Sequence, residues 1–176
     1  MSQVHSEMSR AIKSTQTVRD ITKYIPRFYD RGQRRKEPGT KLVWNMLGTG
    51  TEILQAFDLV GEWPENYGTL CAAQQVAMGF CEEAEAEGYS NELCSYVRNS
   101  FGYLRRHRDL GAVPPEAPLS GMGNPTFLLG SGLICEPRFK WFQAIGTHFL
   151  KVPVFNDDPM SPPHDVDVED PRIAEH

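Results

Sequence analysis

The chain has little of what would mark several common functional classes. It contains no apolar run approaching the roughly 20 residues of a membrane-crossing helix. Its first segment, Met1 to Asp20, is polar and lacks the apolar core of a secretory signal peptide. Basic residues are outnumbered, 18 Lys and Arg against 23 Asp and Glu for a net charge of -5, whereas a nucleic-acid binder usually carries a basic face. These deficits give the expectation of a cytoplasmic protein with no membrane and no nucleic-acid partner. Cysteine is sparse. The four residues Cys71, Cys81, Cys94 and Cys135 form no Cys-x-x-Cys pair, which excludes a zinc ribbon and a ferredoxin-type run. In a reducing compartment structural disulfides are not expected, which leaves buried fillers, metal ligands or reactive thiols. Nothing resembles Ser/His/Asp chemistry or a dinucleotide fingerprint, and Gly48-Thr49-Gly50-Thr51 lacks the lysine and the length of a phosphate loop.

What is present suits a globular domain. Hydrophobic residues make up 40% and aromatics 10% of 176 residues, enough for one core plus tails. Residues 1–36 read as a helical leader and linker. Ile12, Val18, Ile21, Tyr24 and Ile25 fall at helical spacing, and Pro26 marks the end of the helix. So sparse a stripe suits packing on a neighbour better than a core of its own. The basic residues Arg31, Arg34, Arg35 and Lys36 suit a solvated linker better than an anion site.

Residues 37–156 read as the α/β domain. Lys41 to Leu47, Leu59 to Trp63, Thr126 to Ser131 and Val152 to Phe155 have the composition of buried strands, with Pro153 indicating an edge or a strand start. Between them lie a short helix Glu52 to Asp58 capped by Thr51, and a long helix Tyr67 to Glu87 closed by Gly88. A helix capped by Asn91 and closed by Arg105, Arg106 and Arg108 follows, and then a last helix from Pro137 to about Phe149. Strands alternating with helices predict an α/β, three-layer parallel (flavodoxin-like) sheet of about four strands with right-handed crossovers. Residues 157–176 are acidic and Pro-rich, a composition that does not fold alone.

In such sheets ligands sit outside the carboxyl ends of the strands. Pro64-Glu65-Asn66, the run Gly130 to Cys135, Asn156-Asp157-Asp158 and Gly48-Thr49-Gly50-Thr51 all follow expected strands and should share one rim. Cys94 reads as part of the first turn of its helix and Cys135 as the residue before one. Helix N-termini favour the thiolate, so two thiols at one rim suit a soft metal or an iron–sulfur cluster. The plainer alternative, that free cysteines fill space, stands beside it. It is the better account of Cys81, while Cys71 lies closer to the rim. Glu65 suits a general acid or a hydrogen-bonding group, or else a surface turn carboxylate. His148 suits a helix C-terminus rather than catalysis.

The order of several segments is specific. Trp44 with the run to Phe57-Asp58 is followed by Pro64-Glu65-Asn66, then by Gly88-Tyr89-Ser90 with Leu93-Cys94-Ser95-Tyr96. Phe127-Leu128-Leu129 follows with Cys135 and Lys140-Trp141-Phe142, and Val152-Pro153 closes the series. From about Arg35 to Met160 the chain resembles the N-terminal part of the benzoyl-CoA reductase / 2-hydroxyacyl-CoA dehydratase family. The context of Cys135 and the leader resemble the B-type subunit of the reductase. The resemblance implies oxygen-sensitive enzyme subunits that pair with a homologous second subunit. Each subunit holds a [4Fe-4S] cluster through cysteines, of which the first two fall on Cys94 and Cys135. It implies an acyl-CoA substrate, with Glu65 and Asn66 on the substrate side. It also implies an ATP-hydrolysing iron–sulfur activator that delivers single low-potential electrons.

The chemistry implied is one-electron reduction of an aromatic acyl-CoA or, alternatively, radical dehydration of a 2-hydroxyacyl-CoA. Family subunits are considerably longer than this chain, with a third cysteine ligand in their C-terminal half. The expectation is therefore an incomplete subunit, with residues 157–176 leading toward a second α/β domain and Cys71 a conceivable substitute ligand. Two readings from other classes remain: a non-catalytic module that docks to a partner through its leader, and a zinc-binding module.

Overall fold

A computed structural model describes residues 15–21, 23–24, 36–132 and 135–156. Much of the expected leader, the basic residues Arg31, Arg34 and Arg35, and the acidic segment after Asn156 lie outside these residues. Four strands, β1 (Leu42–Asn45), β2 (Val60–Glu62), β3 (Phe127–Gly130) and β4 (Val154–Asn156), form one sheet in the order β2-β1-β3-β4. Every pairing is parallel: Leu42 stands opposite Val60, Val43 opposite Phe127, and Leu128 opposite Val154. Pro153 precedes edge strand β4, and its carbonyl accepts the Leu128 N–H at 2.9 Å, so its missing N–H costs the ladder nothing. The α/β fold anticipated from the strand–helix alternation is the one observed.

Alternating side chains divide the core between the two faces of the sheet. Leu42, Trp44, Met46 and Leu128 enter the larger cluster with Phe80, Phe101, Tyr103, Trp141 and Phe142. Val43 and Leu129 face a smaller cluster with Leu54. The smaller face is covered by α2 (Thr51–Ala56). The larger face carries α3 (Pro64–Ala73), α4 (Ala77–Ala86), α5 (Ser95–Leu110) and α6 (Glu136–Ala144). Helix α6 continues as a π-helical segment, Ile145–Leu150. Gly102 of α5 lies so close to the Phe80 carbonyl of α4 that a Cβ there would overlap the backbone. The two helices therefore meet backbone to backbone. In the leader, α1 (Gln16–Ile21) buries no residue, and Val18 and Ile21 are exposed.

Several local expectations change. The helix expected from Tyr67 to Glu87 is two helices. Gln75 adopts a positive φ of 60° between them, and the Val76 N–H returns to the Cys71 carbonyl at 3.0 Å. Apolar spacing continues across this break, so periodicity could not reveal it. Pro64-Glu65-Asn66 is the first turn of α3 with Pro64 in the opening position, not a loop. The N-cap of α2 is Gly50 rather than Thr51. Asn91 does not cap α5: the chain turns at Ser90, which accepts the Leu93 N–H at 3.1 Å, and the helix begins at Ser95. Gly88 has φ 104°, as a helix-terminating glycine requires.

Candidate functional site

Strand order reverses direction between β1 and β3, and in a doubly wound sheet that switch point opens a crevice at the carboxyl ends of the strands. The loop after β1 is held there by its own polar groups. Thr49 is buried; its hydroxyl donates to the Met46 carbonyl at 2.7 Å and also lies against the Asn45 side-chain amide. The Ser131 N–H, just beyond β3, points at Met46 Sδ at 3.3 Å. Leu47, itself exposed, has its peptide pinned on both sides. Its N–H donates to Glu65 Oε2 at 2.8 Å, and its carbonyl accepts from Arg138 Nη2.

Glu65 joins three helix starts. It stands in the first turn of α3, and Arg138 Nη2 donates to its Oε2 at 3.3 Å. Arg138 lies in the first turn of α6, and its N–H reaches the Cys135 carbonyl at 3.1 Å. On the other side the Glu65 carbonyl accepts from the Thr69 hydroxyl at 3.2 Å. That hydroxyl lies 3.4 Å from Tyr96 Oη in the first turn of α5. Gly68 makes room for this approach, since a Cβ there would stand 2.8 Å from the Tyr96 ring. Asn66 is half-buried in the same first turn.

Cys94 and Cys135 occupy equivalent positions. Each is the N-cap residue of its helix, with φ/ψ of -45°/132° and -147°/142°, and neither makes a side-chain cap hydrogen bond. Both thiols are free and exposed. The first N–H groups of a helix lack intrahelical acceptors, so both thiols stand beside donors that suit a negatively charged group. The two helix starts border one cavity of about 320 Å³. Leu93, adjacent to Cys94, lines it together with Pro137, two residues beyond Cys135, and with Val97, Phe101, Trp141 and Tyr89.

The other two cysteines differ. Cys71 is fully buried in α3, and burial pushes its thiol up to about 11 against the opposing pull of Asn99 and Tyr67. It packs as a core residue within the larger cluster, unlike the exposed Cys94 and Cys135. Cys81 is also buried, its thiol is raised chiefly by desolvation, and Sγ faces the Ser95 carbonyl at 3.7 Å. His148 lies in the last turn of the π-helical segment. Among the described residues, no three His, Cys, Asp or Glu side chains gather as a metal site. Cys94 and Cys135 are the two exposed thiols among the described cysteines.

Two arginines escaped notice as functional residues in the sequence. Arg98 donates from Nε to the Leu93 carbonyl at 2.8 Å and pairs through Nη1 with Glu85, fixing the turn that presents Cys94. Arg138 has the role described above. A signal for it existed: a cation in a first helical turn opposes the helix dipole and calls for a counter-charge.

The chain matches the family model for the 2-hydroxyglutaryl-CoA dehydratase D-component over residues 47–169, and it belongs to that family. It is 32% identical over 130 residues to the (R)-2-hydroxyisocaproyl-CoA dehydratase alpha subunit of Clostridioides difficile, covering 74% of this chain and 30% of that one. It is 30% identical over 110 residues to the (R)-phenyllactyl-CoA dehydratase alpha subunit of Clostridium sporogenes, covering 62% of this chain and 25% of that one. It is 31% identical over 126 residues to the B-type subunit of benzoyl-CoA reductase from Thauera aromatica, covering 71% and 28%. The chain spans less than a third of the length of these relatives. The family implied by the order of its motifs is the one found. Dehydratase and reductase subunits match equally well, so the similarity to the reductase is not distinctive. No helix among the described residues is long and apolar enough to cross a membrane.

Proposed function

We propose that this member of the dehydratase D-component family serves an enzyme that performs one-electron chemistry on an acyl-CoA, and that it contributes Cys94 and Cys135 to a [4Fe-4S] site. The supporting observation is that both cysteines are exposed N-caps of helices that border one cavity, with Glu65 linked to both helix starts. The remaining ligands come from outside the described residues. When bound, such a cluster supplies low-potential single electrons that side chains cannot. Those electrons reach it from an ATP-hydrolysing iron–sulfur activator, and a homologous second subunit completes the enzyme.

The residues of the chain itself perform the binding and positioning. On this reading Glu65 and Asn66, in the first turn of α3, lie on the substrate side. Glu65 keeps Oε2 on the Leu47 N–H and Arg138, while Oε1 has no partner among the described residues. That open oxygen can accept the proton of a substrate hydroxyl and return it to a departing one. It favours a 2-hydroxyacyl-CoA, undergoing dehydration, as the first reading. Reduction of an aromatic acyl-CoA such as benzoyl-CoA is the second, supported by the similarity to the benzoyl-CoA reductase of Thauera aromatica.

Anaerobic reconstitution with iron and sulfide tests the cluster site. The expected result is a visible absorbance band and an EPR signal after reduction, both lost in Cys94→Ala and in Cys135→Ala. A spectrum indifferent to both substitutions contradicts the assignment. Turnover of a 2-hydroxyacyl-CoA against benzoyl-CoA, with activator and ATP, then separates the two substrate readings.

A further inference from the structure

We propose that the Arg138 guanidinium is the donor that holds the carbonyl oxygen of the acyl thioester, an assignment that rests on the acyl-CoA reading above. The observation behind it is an imbalance. Arg138 is 4% exposed, and only Nη2 is engaged, on the Leu47 carbonyl and Glu65 Oε2. Nε and Nη1 are both buried with no hydrogen-bond partner. Unmatched donors on a buried charge are among the more costly features a fold can carry, and native structures seldom keep them without something that completes them. Holding the rim together does not explain them, because one nitrogen does that already. A lysine could make the same latch without burying two spare donors.

The surroundings narrow the ligand. The guanidinium is planar and rigid, so Nε and Nη1 share the plane of the nitrogen that meets Glu65. Both open groups need an acceptor oxygen. Glu65 beside them offers the reverse, an oxygen with no partner among the described residues. A ligand that accepts at Arg138 and donates at Glu65 matches the pair, and a thioester carbonyl with a hydroxyl on the adjacent carbon has that pattern. A benzoyl thioester satisfies only the arginine half. The position also suits the reaction, because Arg138 lies one helical turn from Cys135 and its N–H meets the Cys135 carbonyl at 3.1 Å. No bond is made or broken at Arg138. It binds and orients, and it meets negative charge that develops on the carbonyl oxygen.

The test uses the natural polypeptide with its partner subunit, purified without oxygen. Calorimetry compares a 2-hydroxyacyl-CoA with its thioether analogue, in which a methylene replaces the carbonyl. The native protein is expected to bind the thioester at least about tenfold more tightly, the scale of a hydrogen bond to a charged group. Arg138→Lys keeps the cation and the latch. It should erase that preference while thioether affinity and melting temperature stay unchanged. A measurement without a variant stands beside it: the infrared stretch of a ¹³C-labelled thioester carbonyl should move to lower wavenumber on binding. Equal binding of thioester and thioether by the native protein, an unchanged preference in Arg138→Lys, or an unshifted carbonyl band overturns the assignment. The first two of these leave the acyl-CoA reading standing. Binding of neither compound removes both.

Discussion

Helices α5 and α6 begin in nearly the same way and are supported very differently. Each opens on an exposed cysteine N-cap, and each has an arginine within its first turn or so. Arg98, behind Cys94, is spent on the protein. It fixes the Leu93 carbonyl and pairs with Glu85, and no atom of it is left buried and unmatched. Arg138, behind Cys135, is the more buried of the two and retains two unmatched nitrogens. The same residue type in the same place thus has two uses. One shapes the turn that carries Cys94. The other joins three chain segments and keeps two buried nitrogens without a partner. On the proposed reading the substrate side lies at α6 and Glu65, and α5 has the supporting role.

The largest expected effect probes how α5 is held in register. Gly102→Ala pushes a methyl into the Phe80 carbonyl and should cost roughly 3 kcal/mol, since neither backbone can yield easily. Urea unfolding measures it. The control is Gly79→Ala in α4, where a Cβ meets nothing, and there a gain of about 0.5–1 kcal/mol is expected. A Gly102 variant as stable as the native chain would contradict the backbone contact.

The two arginines are predicted to fail in different assays. Arg98→Met frees the Leu93 carbonyl and leaves Glu85 without its partner, so it should lower stability by about 1–2 kcal/mol. The thioester-over-thioether preference should be untouched. Arg138→Met should abolish that preference. Its cost in stability should be the smaller of the two, because it also removes two unsatisfied buried donors. The comparison breaks if both variants change both properties in parallel.

The smallest effect concerns the thiols as a set. In the metal-free native protein Cys94 and Cys135 should alkylate readily, and Cys71 and Cys81 only on unfolding, as read by peptide mass spectrometry. The Cys71 thiol is raised from 9.0 to about 11 in the fold. An unfolded thiol therefore loses its proton first as pH rises. The contribution of Cys71 to stability is complete below pH 9 and declines toward pH 11. Cys71→Ala should flatten that part of the stability curve.

Much of the architecture was legible in the sequence because strands and helices differ in period and in punctuation. The four strands, the role of Pro153 and the positive φ at Gly88 follow from those rules. The division of the long helix at Gln75 does not, because side-chain spacing runs through it and only the backbone turns. Both cysteines were legible as residues near helix starts. Their identity as caps depended on where the helices begin, and for α5 that was set by the turn at Ser90 rather than by Asn91. Glu65 was legible as a residue after a strand. That it links α5 and α6 depends on long-range contacts through Thr69, Tyr96 and Arg138, which no local pattern reports.

The central claim is that the two capping cysteines converge on one site, and a short thiol cross-linker tests it most directly. Metal-free native protein treated with dibromobimane should yield one intramolecular product that joins the Cys94 peptide to the Cys135 peptide, absent in either alanine variant. Separate labelling of the two cysteines, with no linked peptide, would contradict the account.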